Sequence, residues 1–415
     1  MNKGRSLAAV VLFSLTASAC TMETAEPFEE EPEVRSISEP VKAAKGTRKL
    51  AVVHLADNLA TSPAVVDKVW GPIGVDDYGH GYGVNDYIQD VSKGKFEFER
   101  ATNLTHGWAF THPGTSVDEE AGVKSSDEKP VKDIKRALYK LRKAWDLRPF
   151  DTNGDKVVKK NELTVLVVAP GSGGANRTVN VSIGNGYRYK SQVAIVGENV
   201  GFDTYAHELL HTLSAVDVYG LWNKTCHSQR MTIMGCTNFS GAHRVYGLDP
   251  FHLERFGWED RKQTNVVELS QPDLLWRTDL IPSRIFTWQG PTWEQSVIFE
   301  WRRQSDRWDA DVAKQGLVAW YVRRHSDGEN LRLVPSLLDP GAKERGHFTL
   351  APTSNCVLDP MHSSSRGKAK ALKPDHAYRI RWLDGSLSPV FSIRSLSDGA
   401  KLRITVHASG KATSC

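Results

Sequence analysis

The sequence lacks an apolar run long enough to span a membrane, and it carries little net charge. Its N-terminal apolar stretch, residues 7–15, is shorter than the about 20 residues that a membrane-spanning helix needs. A formal charge of +4 over 415 residues, without a dense stripe of Lys and Arg, disfavours nucleic acid as a partner. Apolar and charged fractions of 40% and 25% are ordinary for globular proteins. At this length they predict two folded domains.

The N-terminus has the order of features that is typical of an export signal. Lys3 and Arg5 precede the apolar stretch, and small residues follow it up to Cys20. Cleavage after Ala19 fits either an ordinary signal-peptidase site or a lipoprotein site, in which Cys20 carries the lipid. We favour the lipoprotein, which predicts an outer-membrane anchor facing the periplasm or the cell surface; the alternative is a secreted protein. Membrane contact is expected only through this anchor.

Cysteine is scarce, and the five cysteines are an odd number for an exported protein, which normally pairs its thiols. Lipidation of Cys20 leaves four thiols for two disulfides, and sequence alone allows three connectivities. We favour the pairing of Cys226 with Cys236 and of Cys356 with Cys415.

The composition changes along the chain and divides it into segments. Residues 1–19 form the signal peptide, and residues 20–48, rich in Glu and Pro, are a disordered linker or a short inhibitory pro-segment. Residues 49–260 mix buried strands with amphipathic helices, and residues 261–415 contain short β-branched and aromatic strands. The predicted fold class is α+β: a mixed α/β domain followed by an antiparallel β-rich, sandwich-like domain. We expect a monomer.

Local patterns predict the elements of the 49–260 domain. Apolar residues at helical spacing predict an amphipathic helix; they are Val131, Ile134, Leu138, Leu141 and Trp145. A Gly-, Asn- and Ser-rich stretch, residues 171–190, is predicted to be a loop. Strands are predicted at 49–57, 96–100, 164–170 and 191–197, and helices at 86–94, 131–145 and around residue 208.

The segment YAHELLHTLSAVDVYG contains the motif HExxH. On a helix, His207 and His211 lie four positions apart on the same face, so both imidazoles can bind one ion. Glu208 lies next to the first ligand, where a carboxylate can act as general base without occupying the metal. The alternative is a chance motif on a buried helix. The motif predicts a catalytic zinc site.

A catalytic zinc site needs a third protein ligand. Asp217 lies six positions after His211 and is the only acidic residue between 212 and 248. Because metzincin-type peptidases have the same six-residue step, we predict Asp217 as the ligand. Met234 lies in a tight Gly-containing turn, and in those enzymes a methionine turn lies beneath the zinc. The other residues considered for the third ligand are His227, His243, Asp249 and Glu254.

Several segments together resemble the immune inhibitor A family of secreted bacterial metallopeptidases. The resemblance covers most of the folded chain, in the same order. It is carried by NDYIQDVSKGKFEFERATNLTHGW, HELLHTLSAVDVYG, TIMGC, DPFHLERFGW, SVIFEWRRQSDRWDADVAKQGLVAWYVRR and RWLDGSLSPVFSIRSLSDGAKLRITV. It implies a metzincin-like catalytic domain, with His207, His211 and Asp217 as zinc ligands and Glu208 as the catalytic carboxylate.

The chain departs from the family pattern at two positions. Ser214 stands where relatives have Gly, and serine lacks the freedom of glycine to adopt positive φ. Cys236 follows Met234 by two residues, where some metzincins have a Tyr that binds the metal or stabilises the oxyanion. The residues considered instead for transition-state stabilisation are His243, Tyr246 and Tyr219.

A second metal site is predicted at residues 151–162, DTNGDKVVKKNE. Asp151, Asn153, Asp155 and Glu162 occupy positions one, three, five and twelve of a calcium loop. Lys156 stands at position six, where Gly normally makes the turn, and a strand follows, so this is not a complete EF-hand. The alternative is a solvated turn. We favour structural Ca²⁺, which the resembling family also uses.

Together these features predict a zinc metalloendopeptidase that hydrolyses extracellular proteins or peptides with one catalytic Zn²⁺. The alternative from another class is a surface-anchored binding protein on an inactive peptidase scaffold. A zinc hydrolase acting on a non-peptide bond would use the same residues.

Overall fold

The computed structural model describes residues 44–71, 83–102, 107–171, 173–217, 232–235 and 246–259, and, further on, separate strands and single residues between 266 and 407. The described chain is mixed α/β: a mostly parallel sheet is followed by smaller, mostly antiparallel sheets. Among the described residues, no helix has both the length and the apolar character needed to cross a bilayer. The signal segment and most of the acidic linker lie outside these residues, so both stay predictions.

Seven strands form the N-terminal sheet. They are β1 (Gly46–Ala56), β2 (Phe96–Arg100), β3 (Trp108–Thr111), β4 (Val157–Val158), β5 (Thr164–Ala169), β6 (Gly174–Gly184) and β7 (Tyr187–Gly197). The order is β2–β1–β5–β7–β4; β3 also pairs with β1, and β6 pairs with β7. All pairings are parallel except that of β6 with β7. β5 is buried throughout, as expected for an apolar strand covered on both faces.

Helices cover both faces of this sheet. They are α1 (Ser62–Trp70), α2 (Val84–Val91), α3 (Asp118–Ala121), α4 (Lys129–Ala144), α5 (Phe202–Thr212) and α6 (Pro250–Arg255). Along β1, Leu50 and Val52 belong to one core with α5, whereas Ala51 and Val53 belong to a second core with α4. This alternation follows from the two-residue period of a strand. The predicted amphipathic helix is confirmed as α4.

The predicted loop at 171–190 is wrong, because the structure has the hairpin β6–β7 there. Asn185 and Gly186 make the turn with positive φ values of 49° and 78°. Two consecutive positive φ values define a type I′ turn, which Asn-Gly strongly favours. Val179, Val181 and Ile183 alternate with exposed polar residues and pack into the core under α4. The abundance of Gly, Asn and Ser concealed this alternation.

The structure describes ten further strands between 266 and 407. They are β8 (Val266–Ser270), β9 (Ile285–Gln289), β10 (Gln295–Arg302), β11 (Gly316–Ser326), β12 (Leu331–Leu333), β13 (His347–Thr349), β14 (Val357–Leu358), β15 (His376–Ile380), β16 (Val390–Ser395) and β17 (Lys401–His407). One sheet has the order β12–β11–β10–β9, with β13 on β11, and the other has the order β14–β15–β16–β17–β8. Phe299 of β10 and Phe391 of β16 are buried with ring centroids 5.0 Å apart. The two sheets therefore share apolar contact at this point.

Trp308 connects the C-terminal part of the chain to the core around α5. Its ring stacks on Phe202, the first residue of α5, at 5.9 Å and meets the Tyr87 ring edge-on at 5.0 Å. Its indole N–H donates to Asp90 Oδ2 at 3.0 Å. Trp308 is 3% exposed. It therefore fixes the start of α5 against α2.

We expect Trp308→Ala to lower the free energy of unfolding by about 3–5 kcal/mol, because it removes a buried ring and leaves a cavity. Trp308→Phe keeps ring packing and loses mainly the Asp90 hydrogen bond, so its loss should be smaller. Urea unfolding of the two variants measures the difference. Leu387→Ala, at an exposed apolar position, is the control and should change stability by less than about 0.5 kcal/mol. An alanine variant as stable as wild type would contradict the connecting role.

Candidate metal centre

Helix α5 carries His207, Glu208 and His211, and every residue of this helix is buried. The four-residue spacing puts both imidazoles on one face. Their Nε2 atoms lie 3.1 Å apart, and the rings are nearly perpendicular at 83°. The helix therefore brings two ring nitrogens to one point inside the protein.

The chain reverses direction directly after α5, at Ser214. Ser214 has a φ of 74°, its N–H donates to the His211 carbonyl, and the Ala215 N–H donates to the Leu210 carbonyl. These two bonds form a Schellman C-cap, which usually has Gly at the left-handed position. The Ser214 hydroxyl accepts from Lys160 Nζ at 3.1 Å. The serine thus adopts the conformation expected of glycine, and the turn forms in spite of the substitution.

The reversal returns Asp217 to the two histidines. Its Oδ1 lies 3.0 Å from His207 Nε2 and 3.2 Å from His211 Nε2. In the described part of the chain, this is the one group of three or more His, Cys, Asp or Glu side chains whose ligand atoms all lie within 4.8 Å of one another. The residues predicted as ligands from their spacing are therefore brought together.

Backbone carbonyls orient both imidazoles. His207 Nδ1 lies 2.9 Å from the Ile233 carbonyl oxygen, and His211 Nδ1 lies 3.0 Å from that of Ala215. A carbonyl accepts only from a protonated nitrogen, so the neutral ring carries its proton on Nδ1 and presents a lone pair at Nε2. Such contacts to the second nitrogen are usual for histidines that bind metals.

The two histidine Nε2 atoms and Asp217 Oδ1 fit a divalent cation that prefers nitrogen and oxygen ligands. Two Nε2 lone pairs and a carboxylate oxygen repel one another at 3.0–3.2 Å unless a positive charge lies between them. Zinc bonds of about 2.0–2.1 Å at tetrahedral angles separate neighbouring ligands by about 3.3 Å. Asp217 Oδ1 is buried and accepts no hydrogen bond of good geometry within the described residues. The donor set and its spacing suit Zn²⁺.

Burial and charge act together on the pKa values of this cluster. Burial lowers the pKa of His207, but the adjacent Asp217 and Glu208 raise it to about 9. Burial raises the pKa of Asp217, but the charges of His211 and His207 bring it well below its usual range. Burial also raises the pKa of Glu208, against a smaller lowering by the two histidines. In the metal-free protein, a proton on His207 thus balances the Asp217 carboxylate.

Glu208 is buried beside the cluster, and edge strand β6 covers it. A Cβ atom on Gly174 would lie 2.6 Å from Glu208 Oε1 and 2.8 Å from its Cγ. Further along β6, Asn176 Nδ2 donates to the Glu208 carbonyl at 3.1 Å. Oε2 of Glu208 is buried and accepts no hydrogen bond from the residues that the structure describes. Packing against Gly174 therefore holds the carboxylate and leaves one oxygen for a proton.

Met234 lies in the described turn 232–235 and is fully buried in the core cluster that contains α5. The Gly235 N–H donates to the Thr232 carbonyl, which closes the turn. Ile233, between them, supplies the carbonyl that orients His207. The predicted methionine turn thus contributes a backbone acceptor to the cluster.

Two other residues considered for the third ligand, Asp249 and Glu254, are described and do not join the cluster. Asp249 caps α6 by accepting from the His252 N–H at 3.1 Å, and it accepts from the Thr232 hydroxyl at 2.7 Å. Its carboxylate therefore accepts these hydrogen bonds and does not face the two histidines of the cluster. Glu254 lies within α6, half-buried.

Several predicted residues lie outside the described residues, so their roles stay predictions. They are the five cysteines and three residues considered as ligands or stabilisers: Cys20, Cys226, Cys236, Cys356, Cys415, Tyr219, His227 and His243. Tyr246, the other residue considered for transition-state stabilisation, is buried, and its backbone carbonyl accepts from the Tyr87 hydroxyl at 3.1 Å. That contact attaches its segment to α2.

The predicted calcium loop is a turn stabilised by its own polar groups. Asp151 accepts from the N–H groups of Asp155 and Lys156 at 3.2 and 2.9 Å. Both carboxylate oxygens of Glu162 accept from backbone N–H groups at 3.0 Å. Lys156 takes a φ of 62°, so the turn at position six forms without glycine. The Lys159 ammonium lies 2.6 Å from Asp155 Oδ2, where a cation would compete with it. Calcium stays a prediction.

A scan against protein-family models matches no family, and a search of the curated proteins finds no match. The resemblance to the immune inhibitor A family therefore rests on the quoted segments alone, and the metal centre is argued from its geometry.

The sequence does not identify three residues that support the cluster: Gly174, Asn176 and His252. Gly174 and Asn176 lie in the stretch predicted as a loop, although Asn-Gly followed by a strand was a signal for a hairpin. His252 follows Asp249-Pro250 at the third helical position, where a helix brings it back to its N-cap residue. That spacing predicts the capping contact with Asp249, but it does not predict which group contacts His252 Nε2.

We expect zinc binding to weaken by about tenfold for each pH unit below pH 9, because His207 with its raised pKa holds a proton that zinc must displace. Competition with a chelator of known pH dependence, at pH 6, 7 and 8, measures the slope. His112→Gln, which changes a histidine paired with Asp133 outside the cluster, should keep the slope. An affinity equal at pH 7 and pH 8 would contradict this assignment of the proton.

Proposed function

We propose that this chain is an exported zinc endopeptidase of the immune inhibitor A type. The observation that carries the proposal is the meeting of His207, His211 and Asp217 at 3.0–3.2 Å with Glu208 buried beside them. Two imidazoles and one carboxylate are a usual ligand set for catalytic zinc, and the remaining position is left for water or substrate.

His207, His211 and Asp217 would hold the ion through Nε2, Nε2 and Oδ1. When bound, zinc supplies a Lewis acid that polarises a carbonyl and makes a water molecule acidic near neutral pH. The carbonyls of Ile233 and Ala215 keep the imidazoles oriented and increase their basicity as ligands.

Glu208 moves the protons of the reaction. Its Oε2 takes a proton from the attacking water as the C–O bond forms, and returns it to the departing amine as the peptide C–N bond breaks. Burial, which raises its pKa, brings the carboxylate nearer to the value at which one group serves as both base and acid. Because Gly174 has no Cβ atom, the carboxylate can lie against β6 in this position.

A peptide substrate is supported by the position of β6. Strand β6 is an edge strand that pairs only with β7 among the described strands, and its Gly174 lies against Glu208. Such an edge binds an extended peptide as an added strand. An extended chain there would place one of its peptide bonds next to the metal centre. This favours internal bonds of proteins over a substrate without a backbone.

The proposal includes finer features of the fold. A metzincin-like catalytic region is supported by the chain reversal after His211 and by the buried methionine turn that orients His207. A sandwich-like arrangement of the two C-terminal sheets is supported by the contact of Phe299 with Phe391. The lipid anchor at Cys20, the two disulfides, structural calcium and a monomeric state belong to the same proposal.

We expect Glu208→Gln to lower casein hydrolysis by about 10²–10⁴-fold, because glutamine cannot take the proton from water. Bound zinc should stay nearly unchanged, since Glu208 is not one of the three ligands. Elemental analysis and a cleavage assay on the same sample measure both. Glu259→Gln changes an equally buried carboxylate that pairs with Lys93, and it is the matched control, with full activity expected.

Unaltered hydrolysis by the Glu208→Gln protein would overturn the role of this residue. Zinc-loaded wild type that cleaves no member of a peptide library would favour a binding protein on an inactive scaffold. Cleavage restricted to a glycopeptide or a cell-wall crosslink would keep the metal chemistry and reassign the bond.

We expect Gly174→Ala to lower kcat/KM by about 100-fold, because its Cβ would displace the Glu208 carboxylate from its position. Zinc content should equal that of wild type. Ala175→Ser, a similar addition on the opposite face of β6, is the control and should retain most activity. Equal activity of wild type and Gly174→Ala would show that the carboxylate has room to move.

A further inference from the structure

A carboxylate–imidazole pair is buried at the start of α6. Asp249 and His252 are both fully buried. His252 Nδ1 lies 2.7 Å from Asp249 Oδ2 and 2.9 Å from Oδ1, and the His252 backbone N–H donates to Oδ1 at 3.1 Å. Burying such a pair is costly unless each remaining polar atom has a partner. The partners of this pair lead to the metal centre on two sides.

The first side runs through the imidazole. His252 Nε2 accepts from the backbone N–H of Val216 at 3.0 Å. Val216 lies between Ala215, whose carbonyl orients His211, and Asp217, whose Oδ1 meets both histidines. A bond to the Val216 N–H therefore fixes the peptide that presents Asp217.

The second side runs through the carboxylate. Asp249 Oδ2 accepts from the Thr232 hydroxyl at 2.7 Å, and that oxygen in turn accepts from the Met234 N–H at 3.2 Å. Ile233 lies between these two residues and gives its carbonyl to His207 Nδ1. The same carboxylate thus fixes the turn that orients His207.

We propose that Asp249 and His252 are positioning residues of the metal centre: one buried carboxylate holds, through two hydrogen-bonded branches, the segment of Asp217 and the carbonyl that orients His207. The inference rests on the proposed zinc site. In the hydrogen bonds that form the two branches, neither Asp249 nor His252 contacts the side chain of a proposed zinc ligand. Both residues therefore act through the backbone segments that they hold in place.

The hydrogen bonds determine how His252 acts. Because Nε2 accepts from an N–H, it carries no proton, and the ring proton lies on Nδ1 and is donated to Asp249. Asparagine can reproduce the donor at Nδ1 and has nothing at Nε2. Glutamine reaches the Nε2 position with an oxygen that can accept from Val216. The two substitutions therefore separate the two ends of the imidazole.

We expect His252→Asn to weaken zinc binding by about 10–100-fold, the usual effect of removing an outer partner of a metal site. His252→Gln should lose less, because it can restore the Val216 bond. Zinc dissociation constants come from chelator competition. The Co²⁺-loaded protein reports ligand geometry independently, and its visible d–d bands should shift in His252→Asn and return towards wild type in His252→Gln.

His54 provides a matched control for the loss of a buried imidazole. It is fully buried on β1, and its Nε2 lies 2.7 Å from a carboxylate oxygen of Glu198. His54→Asn should lower the urea midpoint of the metal-free protein, as we also expect of His252→Asn. Its zinc dissociation constant should stay within about twofold of wild type, and its cobalt spectrum should not shift, because its carboxylate partner, Glu198, lies outside the segment of the three ligands.

Thr232 tests the second branch in variants that keep the buried pair. Thr232→Val is nearly isosteric and removes the hydroxyl, so we expect about a tenfold weaker zinc site, whereas Thr232→Ser should bind like wild type. These two variants decide the matter if His252→Asn does not fold.

The outcomes separate this inference from the proposed function. Wild type that binds no zinc would overturn the metal centre itself and the inference with it. If the wild-type protein binds zinc, and His252→Asn and Thr232→Val have the same zinc affinity and cobalt spectrum as wild type, the positioning role alone is overturned. An equal loss of zinc affinity in His54→Asn would also overturn it, since any buried imidazole would then have the same effect.

Discussion

The proposed metal centre depends on the reversal of the chain at Ser214. A single residue in the left-handed conformation ends α5 and turns the following peptides back along it. Within three residues the chain then presents the Ala215 carbonyl to His211, the Val216 N–H to His252, and the Asp217 carboxylate to both histidines. For a residue with a Cβ atom this conformation costs about 1 kcal/mol relative to glycine. The contacts made immediately after it offset that cost.

The rest of the fold makes this geometry rigid. Helix α5 is buried on all sides, between the sheet and the core that contains Trp308, so its histidines cannot tilt without disturbing close packing. Each imidazole is further held by a carbonyl from a different segment. Because Asp249 joins those two segments, a displacement of one ligand would also displace another. Rigid, mutually dependent supports of this kind are what a preorganised site requires.

The sequence was informative where spacing alone determines geometry. A four-residue step on a helix predicts that His207 and His211 meet, and the six-residue step to Asp217 is confirmed as a contact. It was uninformative where the partner comes from a distant segment. Nothing local to Gly174 indicates that Glu208 will lie against it, and nothing near His252 indicates Val216. The Gly-, Asn- and Ser-rich composition of β6 predicts a loop, whereas the alternation of buried and exposed residues along it is that of a strand.

These distant partners differ from the donors of the proposed metal centre in where they lie along the chain. All three donors belong to the segment 207–217, whereas the groups that cover or orient them come from β6, from the turn 232–235 and from α6. The three donors approach to 3.0–3.2 Å within this one segment, and their orientation depends on the turn 232–235 and on α6. At that distance their lone pairs repel unless a proton or a cation intervenes. A bound cation would relieve this repulsion, as the proton on His207 does in the metal-free protein, so the proposed ion would contribute to stability as well as to chemistry.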